Sequence, residues 1–200
     1  MPVRLAQDDL DRIENALAAA STPLGALSVL LTEARQLTRA QAGTVYLRRG
    51  DELHFAVVQN EVLVDRLGAE ELARRLAAPP LKLDGPSIAG YVALTRAPVN
   101  VPDVYEIPLE RPYEFDRQRD VETGYRTCSM LALPLREPRG RVFGVLQLIN
   151  AIDDRGEIVP FDQASEELAA ELLERLARSM LATQARPGGA ASETTAAPGS

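Results

Sequence analysis

The 200-residue chain is poor in the residue types that carry most enzymatic chemistry. Cys128 is the only cysteine, so neither an intramolecular disulfide nor a cluster of thiolate metal ligands can form. His54 is the only histidine, which excludes multi-histidine zinc sites and most Ser-His-Asp triads. Lys82 is the only lysine and does not follow a glycine, which excludes a GxxxxGKS/T phosphate-binding loop. We therefore expect no metal site and no enzymatic activity.

Two further absences bear on location and partners. No apolar run reaches the roughly 20 residues that span a bilayer, and the N-terminal segment MPVRLAQDDLDR has no apolar signal-peptide core. The net charge of −7 and the isoelectric point near 4.9 disfavour nucleic-acid binding, since that surface needs a local excess of Lys and Arg. These features predict a cytoplasmic protein with neither a membrane nor a nucleic acid as partner.

Three segments have the apolar spacing of amphipathic helices. The first covers residues 7–20, the second begins at Thr22 as its cap with Pro23 in its first turn, and the third begins near Asp162. The stripes of the first and third consist of Leu10, Ile13 and Leu17 and of Leu168, Leu172, Leu176 and Met180. We expect these stripes to pair across a two-fold axis in a homodimer, with packing inside one subunit as the alternative.

Strand-like segments come in two pairs, each joined by a turn. GTVYLRR and ELHFAVVQ are separated by Gly50-Asp51, and MLALPL and VFGVLQLIN are joined by the polar segment REPRGR. Between the pairs lie a weak helical pattern at 64–78, a short apolar helix from Ile88 to Leu94, and a proline-rich loop at 97–121 that is too irregular for a buried strand. This order predicts an α+β fold, with an antiparallel sheet between helices.

Length and composition fit one globular domain with flanking segments. The last residues, PGGAASETTAAPGS, have too few apolar groups to offset the entropy of ordering. We divide the chain into an N-terminal amphipathic helix at 1–21, one domain with its C-terminal helix at 22–183, and a disordered tail at 184–200.

Four motifs resemble the second half of a GAF domain: IAGYVA, NVPDVYE, TGYRT and GVLQLIN. GAF domains are small-molecule-sensing and dimerising modules that lie beside cyclic-nucleotide phosphodiesterases, adenylate cyclases and bacterial cyclic di-GMP phosphodiesterases. The resemblance extends over about residues 24–181, and the long loop at 101–120 is similar to the version in bacterial GAF domains. It implies a regulatory bacterial protein whose sheet has about six strands.

The resemblance also implies a ligand site. In relatives that bind a purine cyclic nucleotide, cyclic AMP (cAMP) or cyclic GMP (cGMP), the ligand lies against the apolar helix, the TGYRT region and the last long strand. The matching residues here are Ile88, Ala89, Asp120, Thr123, Thr127 and Gln147. Hydroxyls and a short acid on one wall suit the edges of a purine while Ile88 packs against the ring.

One motif of the cyclic-nucleotide subset is incomplete in this chain. In the relatives, this motif consists of an Asn-Lys pair and a downstream Phe-x-x-x-Asp-Glu sequence. The residues of it that this chain retains are Asn150, Phe161 and Glu166. Ala151 stands at the position of the lysine, and Ser165 stands at the position of the aspartate. In the relatives, this lysine and this aspartate resemble a salt-bridged pair. Because both charges are lost together, no lone buried charge is left, and we expect the fold to tolerate the change.

Two functions remain open from the sequence. The first is a stand-alone sensor that binds a small molecule, with a cyclic nucleotide as the leading ligand, and signals through dimerisation. The second is a ligand-free dimerisation or protein-interaction module that docks to a separate signalling enzyme. A third function, methionine sulfoxide reduction, occurs in some GAF proteins but uses more than one cysteine, whereas this chain has one.

Overall fold

Helices and strands alternate along the chain. The structure, a computed structural model, describes residues 5–76, 79–137 and 139–184. The helices are α1 (Gln7–Ala19), α2 (Pro23–Thr38), α3 (Glu61–Leu67), α4 (Ala69–Leu76), α5 (Ile88–Thr95), α6 (Gln118–Thr123) and α7 (Gln163–Gln184). The strands are β1 (Ala40–Arg49), β2 (Glu52–Asn60), β3 (Leu81–Lys82), β4 (Val99–Val101), β5 (Met130–Arg136), β6 (Val142–Ile152) and β7 (Ile158–Val159), and a short 3-10 turn covers Val104–Glu106.

The described strands form one antiparallel sheet. Six of them lie in the order β3-β2-β1-β6-β5-β4, and the two-residue β7 pairs with the end of β6. Both predicted hairpins are present, with Gly50 (φ 61°) in the first turn and Gly140 (φ 83°) in the second, where positive φ favours glycine. The predicted α+β fold with a central antiparallel sheet is confirmed.

The region between the hairpins is more regular than its sequence predicts. Gly68, at φ 80°, divides the weak helical pattern into α3 and α4. The loop predicted at 97–121 contains β4, which lies at the edge of the sheet next to β5. The expectation that this loop is too irregular for a buried strand is wrong, since Val99 and Val101 of β4 are buried. An edge strand of only three residues can lie between proline-rich segments.

The central strands present different side chains to the two faces of the sheet. On the first face, Val45 and Leu146 belong to the larger apolar core under α2 and α7. On the second face, Tyr46 and Val145 belong to a separate core with the short helix α5. The sheet is thus covered by long helices on one face and by α5 and loops on the other.

A β-bulge in β2 changes which side chains face α5. Val45 pairs with Val57, but Tyr46 pairs with Phe55, so Ala56 is an extra residue in the strand. Ala56 and Val57 therefore both pack against the first core, and Phe55 moves to the second face. Without the bulge, strict alternation would direct Phe55 away from Tyr46.

The predicted start of α2 is confirmed, and this helix lies very close to the sheet. The Thr22 hydroxyl accepts a hydrogen bond from the Gly25 N–H at 3.0 Å, and Pro23 is the first helical residue. At Gly43 of β1, an added Cβ atom would lie 2.7 Å from Leu31 Cδ1 of α2. The added atom would also lie 2.9 Å from the backbone carbonyl oxygen of Gln147, so a larger residue at this position would disturb the pairing of β1 with β6.

The apolar stripe of α1 is buried inside one subunit. Leu10, Ile13 and Leu17 are 7%, 1% and 7% exposed and belong to the first core. Arg12 adds a polar tie, because its Nη1 lies 2.6 Å from Oε1 of the buried Glu33 on α2. The expectation that this stripe pairs with a second subunit is wrong, because α2 already covers it.

The C-terminal helix begins where the sequence predicts. Asp162 accepts a hydrogen bond from the Ser165 N–H at 2.8 Å, and Leu172 is fully buried while Leu168 is partly buried. The side chains of Leu176 and Met180 and the tail residues 185–200 lie outside the described part of the chain, so the predicted disorder of the tail stays a prediction. Among the described helices, none is long and apolar enough to cross a membrane.

Candidate functional site

Two adjoining cavities lie on the second face of the sheet. The large cavity, of about 470 Å³, is bounded by β1, β2, β6, the N-terminus of α5 and residues 114–122. The small cavity, of about 130 Å³, continues from it toward α3 and the TGYRT segment. Tyr46, Phe55, Arg119 and Gln147 line both cavities. The volume of the large cavity falls within the range of roughly 300–1,000 Å³ that is typical of ligand sites.

All six residues that the family resemblance implied line these cavities. Ile88 and Ala89 line the large cavity, Asp120, Thr123 and Thr127 line the small one, and Gln147 lines both. The structure therefore brings the six together, although they come from the helices α5 and α6, the loop before β5 and the strand β6. Contact of each residue with a ligand stays a prediction.

The N-terminus of α5 faces the large cavity. The Ser87 hydroxyl caps the helix by accepting a hydrogen bond from the Gly90 N–H at 3.0 Å. The preceding chain is tied to the loop, because the Glu114 N–H donates to the Pro86 carbonyl at 2.7 Å. Since the first amides of a helix have no partner within it, those of Ile88 and Ala89 are available to an acceptor.

The polar groups of Asp120 and Thr127 are already engaged with each other. The Asp120 carboxylate accepts hydrogen bonds from the Thr127 N–H at 2.7 Å, the Thr127 hydroxyl at 2.8 Å and the Tyr105 hydroxyl at 3.0 Å. The Thr123 hydroxyl donates to the Arg119 carbonyl at 2.7 Å. These residues therefore fix α6 and the TGYRT segment as one wall of the small cavity.

Tyr46, Phe55 and Arg119 are wall residues that the sequence analysis missed. The rings of Tyr46 and Phe55 have centroids 4.7 Å apart, and the Arg119 guanidinium carbon lies 4.6 Å from the Phe55 centroid. Hydrophobic alternation along β1 was a usable signal for Tyr46. Phe55 had no such signal, because the bulge at Ala56 reverses its side.

The electrostatic character of the walls is mixed. Arg119 is the only basic side chain among the described residues that line the two cavities. Glu114, Asp116 and Glu122 contribute carboxylates to the large cavity. Burial raises the pKa of Tyr46 to about 12, and the nearby charge of Arg119 opposes this rise, so the phenol is neutral at physiological pH.

Asn150, the first residue of the incomplete motif, has a structural role. It is fully buried with φ 57°, and its Oδ1 accepts a hydrogen bond from the Cys128 N–H at 2.8 Å. Its Nδ2 donates to the Tyr125 hydroxyl at 3.0 Å and to the Arg126 carbonyl at 2.9 Å. Asn150 thus ties the TGYRT segment to the end of β6. Burial raises the pKa of Tyr125, whose hydroxyl donates to Gln41.

The remaining residues of that motif lie at the start of α7 and on β6. Phe161 is buried, and its carbonyl accepts a hydrogen bond from Asn100 Nδ2 at 3.0 Å. Glu166 is in the first turn of α7, where its N–H donates to the Asp162 carbonyl at 3.2 Å. Ala151, at the position of the missing lysine, is buried, and its N–H donates to the Ser129 hydroxyl at 3.1 Å. The strand end is therefore held without an ion pair at this position.

Residues 5–76, 79–137 and 139–184 contain no group of three or more His, Cys, Asp or Glu side chains placed to hold a metal ion. Cys128 is half-buried and has a free thiol.

Comparison with known proteins gives a consistent family assignment. The family model of the GAF domain matches residues 22–180. The structure of the GAF domain from a phosphoenolpyruvate-protein phosphotransferase of Coxiella burnetii superimposes with a TM-score of 0.63, at 20% identity, over 89% of this chain and 94% of that one. That likeness concerns the fold.

Two curated relatives from Drosophila melanogaster match part of the chain. A dual 3′,5′-cyclic-AMP and -GMP phosphodiesterase is 37% identical over 90 residues, which is 45% of this chain and 6% of the relative. A cGMP-specific 3′,5′-cyclic phosphodiesterase is 30% identical over 131 residues, which is 60% of this chain and 11% of the relative. The chain therefore spans about a tenth or less of the length of these relatives.

Proposed function

The chain belongs to the GAF family, and on that premise we propose that it is a regulatory sensor that binds a small molecule in the two cavities and signals through dimerisation. The large cavity supports this proposal most directly, because its volume of about 470 Å³ suits a small ligand. Its walls combine aromatic rings with a few polar groups, which is the usual composition of a ligand site.

A cyclic nucleotide, cAMP or cGMP, is the leading ligand. The partial likeness to cyclic-nucleotide phosphodiesterases supports this choice, since the match falls in their GAF-like region. Arg119 and the first amides of α5 offer donors for a phosphate, and both lie on the large cavity. Gln147 offers a carboxamide that both donates and accepts at the edge of a base.

The segment from Ile107 to Thr123 would act as the cover of the bound ligand. It contributes Glu114, Phe115, Asp116, Arg119 and Asp120 to the cavity walls. Water exclusion by this cover would strengthen the few polar contacts to the ligand. Binding without turnover is part of the proposal, because the described wall residues include no histidine, cysteine or lysine.

A ligand-free interaction module is the second candidate. The three carboxylates of Glu114, Asp116 and Glu122 oppose an anionic ligand, and only Arg119 among the described wall residues offsets them. Leu109 and Val121 are 101% and 81% exposed in the covering segment, as expected for residues that contact a partner. In this case the partner would be a second copy of the chain or a separate signalling enzyme.

Mass spectrometry of small molecules released from the purified protein separates the two candidates. It is followed by calorimetric titration of the ligand-free protein with cAMP, cGMP and cyclic di-GMP. We expect saturable binding of a cyclic nucleotide. If no molecule co-purifies and none of the three binds, the sensor function is rejected in favour of the interaction module. Light scattering at tens of micromolar protein, where we expect a dimer, tests the assembly in both cases.

A further inference from the structure

Three polar side chains form the floor of the cavities on the second sheet face. Thr44 and Tyr46 are two residues apart on β1, and Gln147 of β6 is the direct cross-strand partner of Thr44. These residues are 6%, 6% and 7% exposed, and all three line the small cavity. Within the described ranges, none of the three side chains forms a hydrogen bond.

This lack of partners is exceptional for the protein. Nine buried polar or charged residues, tyrosines apart, lie in the described part of the chain, and Thr44 and Gln147 are two of them. The side chains of the other seven are all hydrogen-bonded: Glu33, Thr38, Asn60, Asp120, Thr127, Ser129 and Asn150. The polar atoms of Thr44, Tyr46 and Gln147 are not among the fully enclosed ones, so they open onto the cavity, where no protein group engages them and a ligand can.

We infer that Tyr46 determines which ligands the cavities accept, by hydrogen-bonding, with Gln147 and Thr44, the polar edge of a planar heterocycle. This inference rests on the proposed sensor function. A hydroxyl and a carboxamide both donate and accept without carrying charge. They fit a ring edge that presents adjoining donors and acceptors, as a nucleobase does. An anionic group is bound more strongly by a charged donor, and Arg119 is the one that lines the same cavities among the described residues.

The ring of Tyr46 packs against its neighbours. Phe55 lies against the Tyr46 ring at 4.7 Å with an interplanar angle of 51°, and Arg119 lies over the Phe55 ring at 4.6 Å. The bulge at Ala56 is what places Phe55 on this face. Burial keeps the phenol protonated at physiological pH, so that it remains a donor. A group fixed in this way discriminates among ligands by their polar pattern.

The same geometry predicts that the Tyr46 hydroxyl matters for binding and not for stability. The Tyr46 hydroxyl opens onto the cavity and has no partner among the described residues, so its removal leaves no buried group unpaired. Replacement by phenylalanine removes the hydroxyl and keeps the ring that packs against Phe55. The Tyr46→Phe variant should therefore fold at least as stably as the wild type and bind ligand less tightly.

The experiment compares the wild type, Tyr46→Phe and the matched control Tyr113→Phe. Tyr113 is also buried, its ring packs against Tyr91 with centroids 5.0 Å apart, and it lines neither cavity. Urea unfolding of the ligand-free proteins gives the midpoints. Calorimetry with cAMP, cGMP, adenosine and guanosine gives the affinities, with the two nucleosides as probes that lack the phosphate.

We expect the urea midpoint of Tyr46→Phe to equal or exceed that of the wild type. For the purine that binds the wild type, the affinity of Tyr46→Phe should be lower by a factor of about five or more, which is typical of one lost hydrogen bond. Tyr113→Phe should leave the affinity unchanged. If Tyr46→Phe binds as tightly as the wild type, or if its urea midpoint is lower, the inference about Tyr46 is wrong while the sensor function stands. Absence of any bound or co-purifying molecule in wild type rejects the sensor function itself. If another molecule co-purifies, it replaces the purines as the probe in the same comparison.

Discussion

Asp120 and Thr127 are hydrogen-bonded to each other twice, through the backbone N–H of Thr127 at 2.7 Å and its hydroxyl at 2.8 Å. Tyr105 adds a third donor to the same carboxylate at 3.0 Å. Asp120 is 8% exposed and Thr127 is 4% exposed, so these bonds are largely shielded from water. They join α6 and the TGYRT segment into one wall of the small cavity and tie this wall to the turn after β4.

The Asp120→Ala variant should lose stability. Removal of the carboxylate leaves the N–H and hydroxyl of Thr127 and the Tyr105 hydroxyl without their acceptor, and an unpaired buried polar group costs roughly 1–3 kcal/mol. We expect the free energy of unfolding in urea to fall by about that amount. Glu110→Ala, which changes an exposed carboxylate without a partner among the described residues, is the control and should unfold like the wild type. If the urea midpoint of Asp120→Ala equals that of the wild type, Asp120 does not have this structural role.

Replacement of Asn150 by alanine or by glycine should lower the free energy of unfolding, and alanine should lower it more. Asn150→Ala loses the hydrogen bonds to Cys128, Tyr125 and Arg126 and places a less tolerant residue at φ 57°. Strain and unpaired buried groups each cost roughly 1–3 kcal/mol. Asn150→Gly loses the same hydrogen bonds without the strain, so its loss in unfolding free energy should be smaller. If the two variants lose the same unfolding free energy, the positive φ at this position does not destabilise alanine relative to glycine.

Replacement of Arg119 by glutamine should affect anionic ligands selectively. Arg119→Gln removes the only positive charge on the described cavity walls, so cAMP or cGMP should bind less tightly while the corresponding nucleoside is affected little. We expect a loss of about tenfold, as for a charge-assisted hydrogen bond of roughly 1.5–3 kcal/mol, measured by calorimetry. Arg111→Gln, which changes an exposed arginine outside both cavities, is the matched control. A parallel loss for nucleotide and nucleoside would contradict a phosphate contact.

The cap of α7 should make stability depend on acid pH. Hydrogen bonds from Ser165 hold the pKa of Asp162 below its ordinary value of 3.8. A group with a lowered folded pKa stabilises the fold above its unfolded pKa and loses this effect as pH falls through the folded value. Between about pH 5 and pH 2, the wild type should therefore lose more unfolding free energy than Asp162→Asn, which retains a neutral cap. Parallel pH profiles in urea titrations would exclude this contribution.

The stripe of α1 should act within the subunit. Ile13 is 1% exposed in the first core, and Ile13→Ala should lower the free energy of unfolding by roughly 2–5 kcal/mol, the usual cost of such a truncation. Asn15→Ala, on the exposed side of α1, is the control. Light scattering of the folded Ile13→Ala protein should give the same oligomeric state as wild type. If Ile13→Ala changes the oligomeric state without lowering the free energy of unfolding, the stripe of α1 lies at a subunit interface after all.

The sequence by itself determined the local elements. Helical spacing and the caps at Thr22 and Asp162 predicted where α2 and α7 begin, and Gly50-Asp51 predicted the first hairpin. These features depend on interactions between residues a few positions apart, which the printed order displays directly. The six implied site residues were also within reach of the sequence, because the motifs that carry them are contiguous.

The tertiary structure alone decided which polar groups are engaged and which are free. Asp120 and Thr127 pair with each other and with Tyr105, whereas Tyr46 and Gln147 have no partner among the described residues. Neither result follows from residue type, because a hydrogen bond depends on distance and direction between groups that the fold brings together. The bulge at Ala56 adds one residue to one strand, and that single shift reverses the face on which Phe55 lies, which the period of a strand cannot reveal.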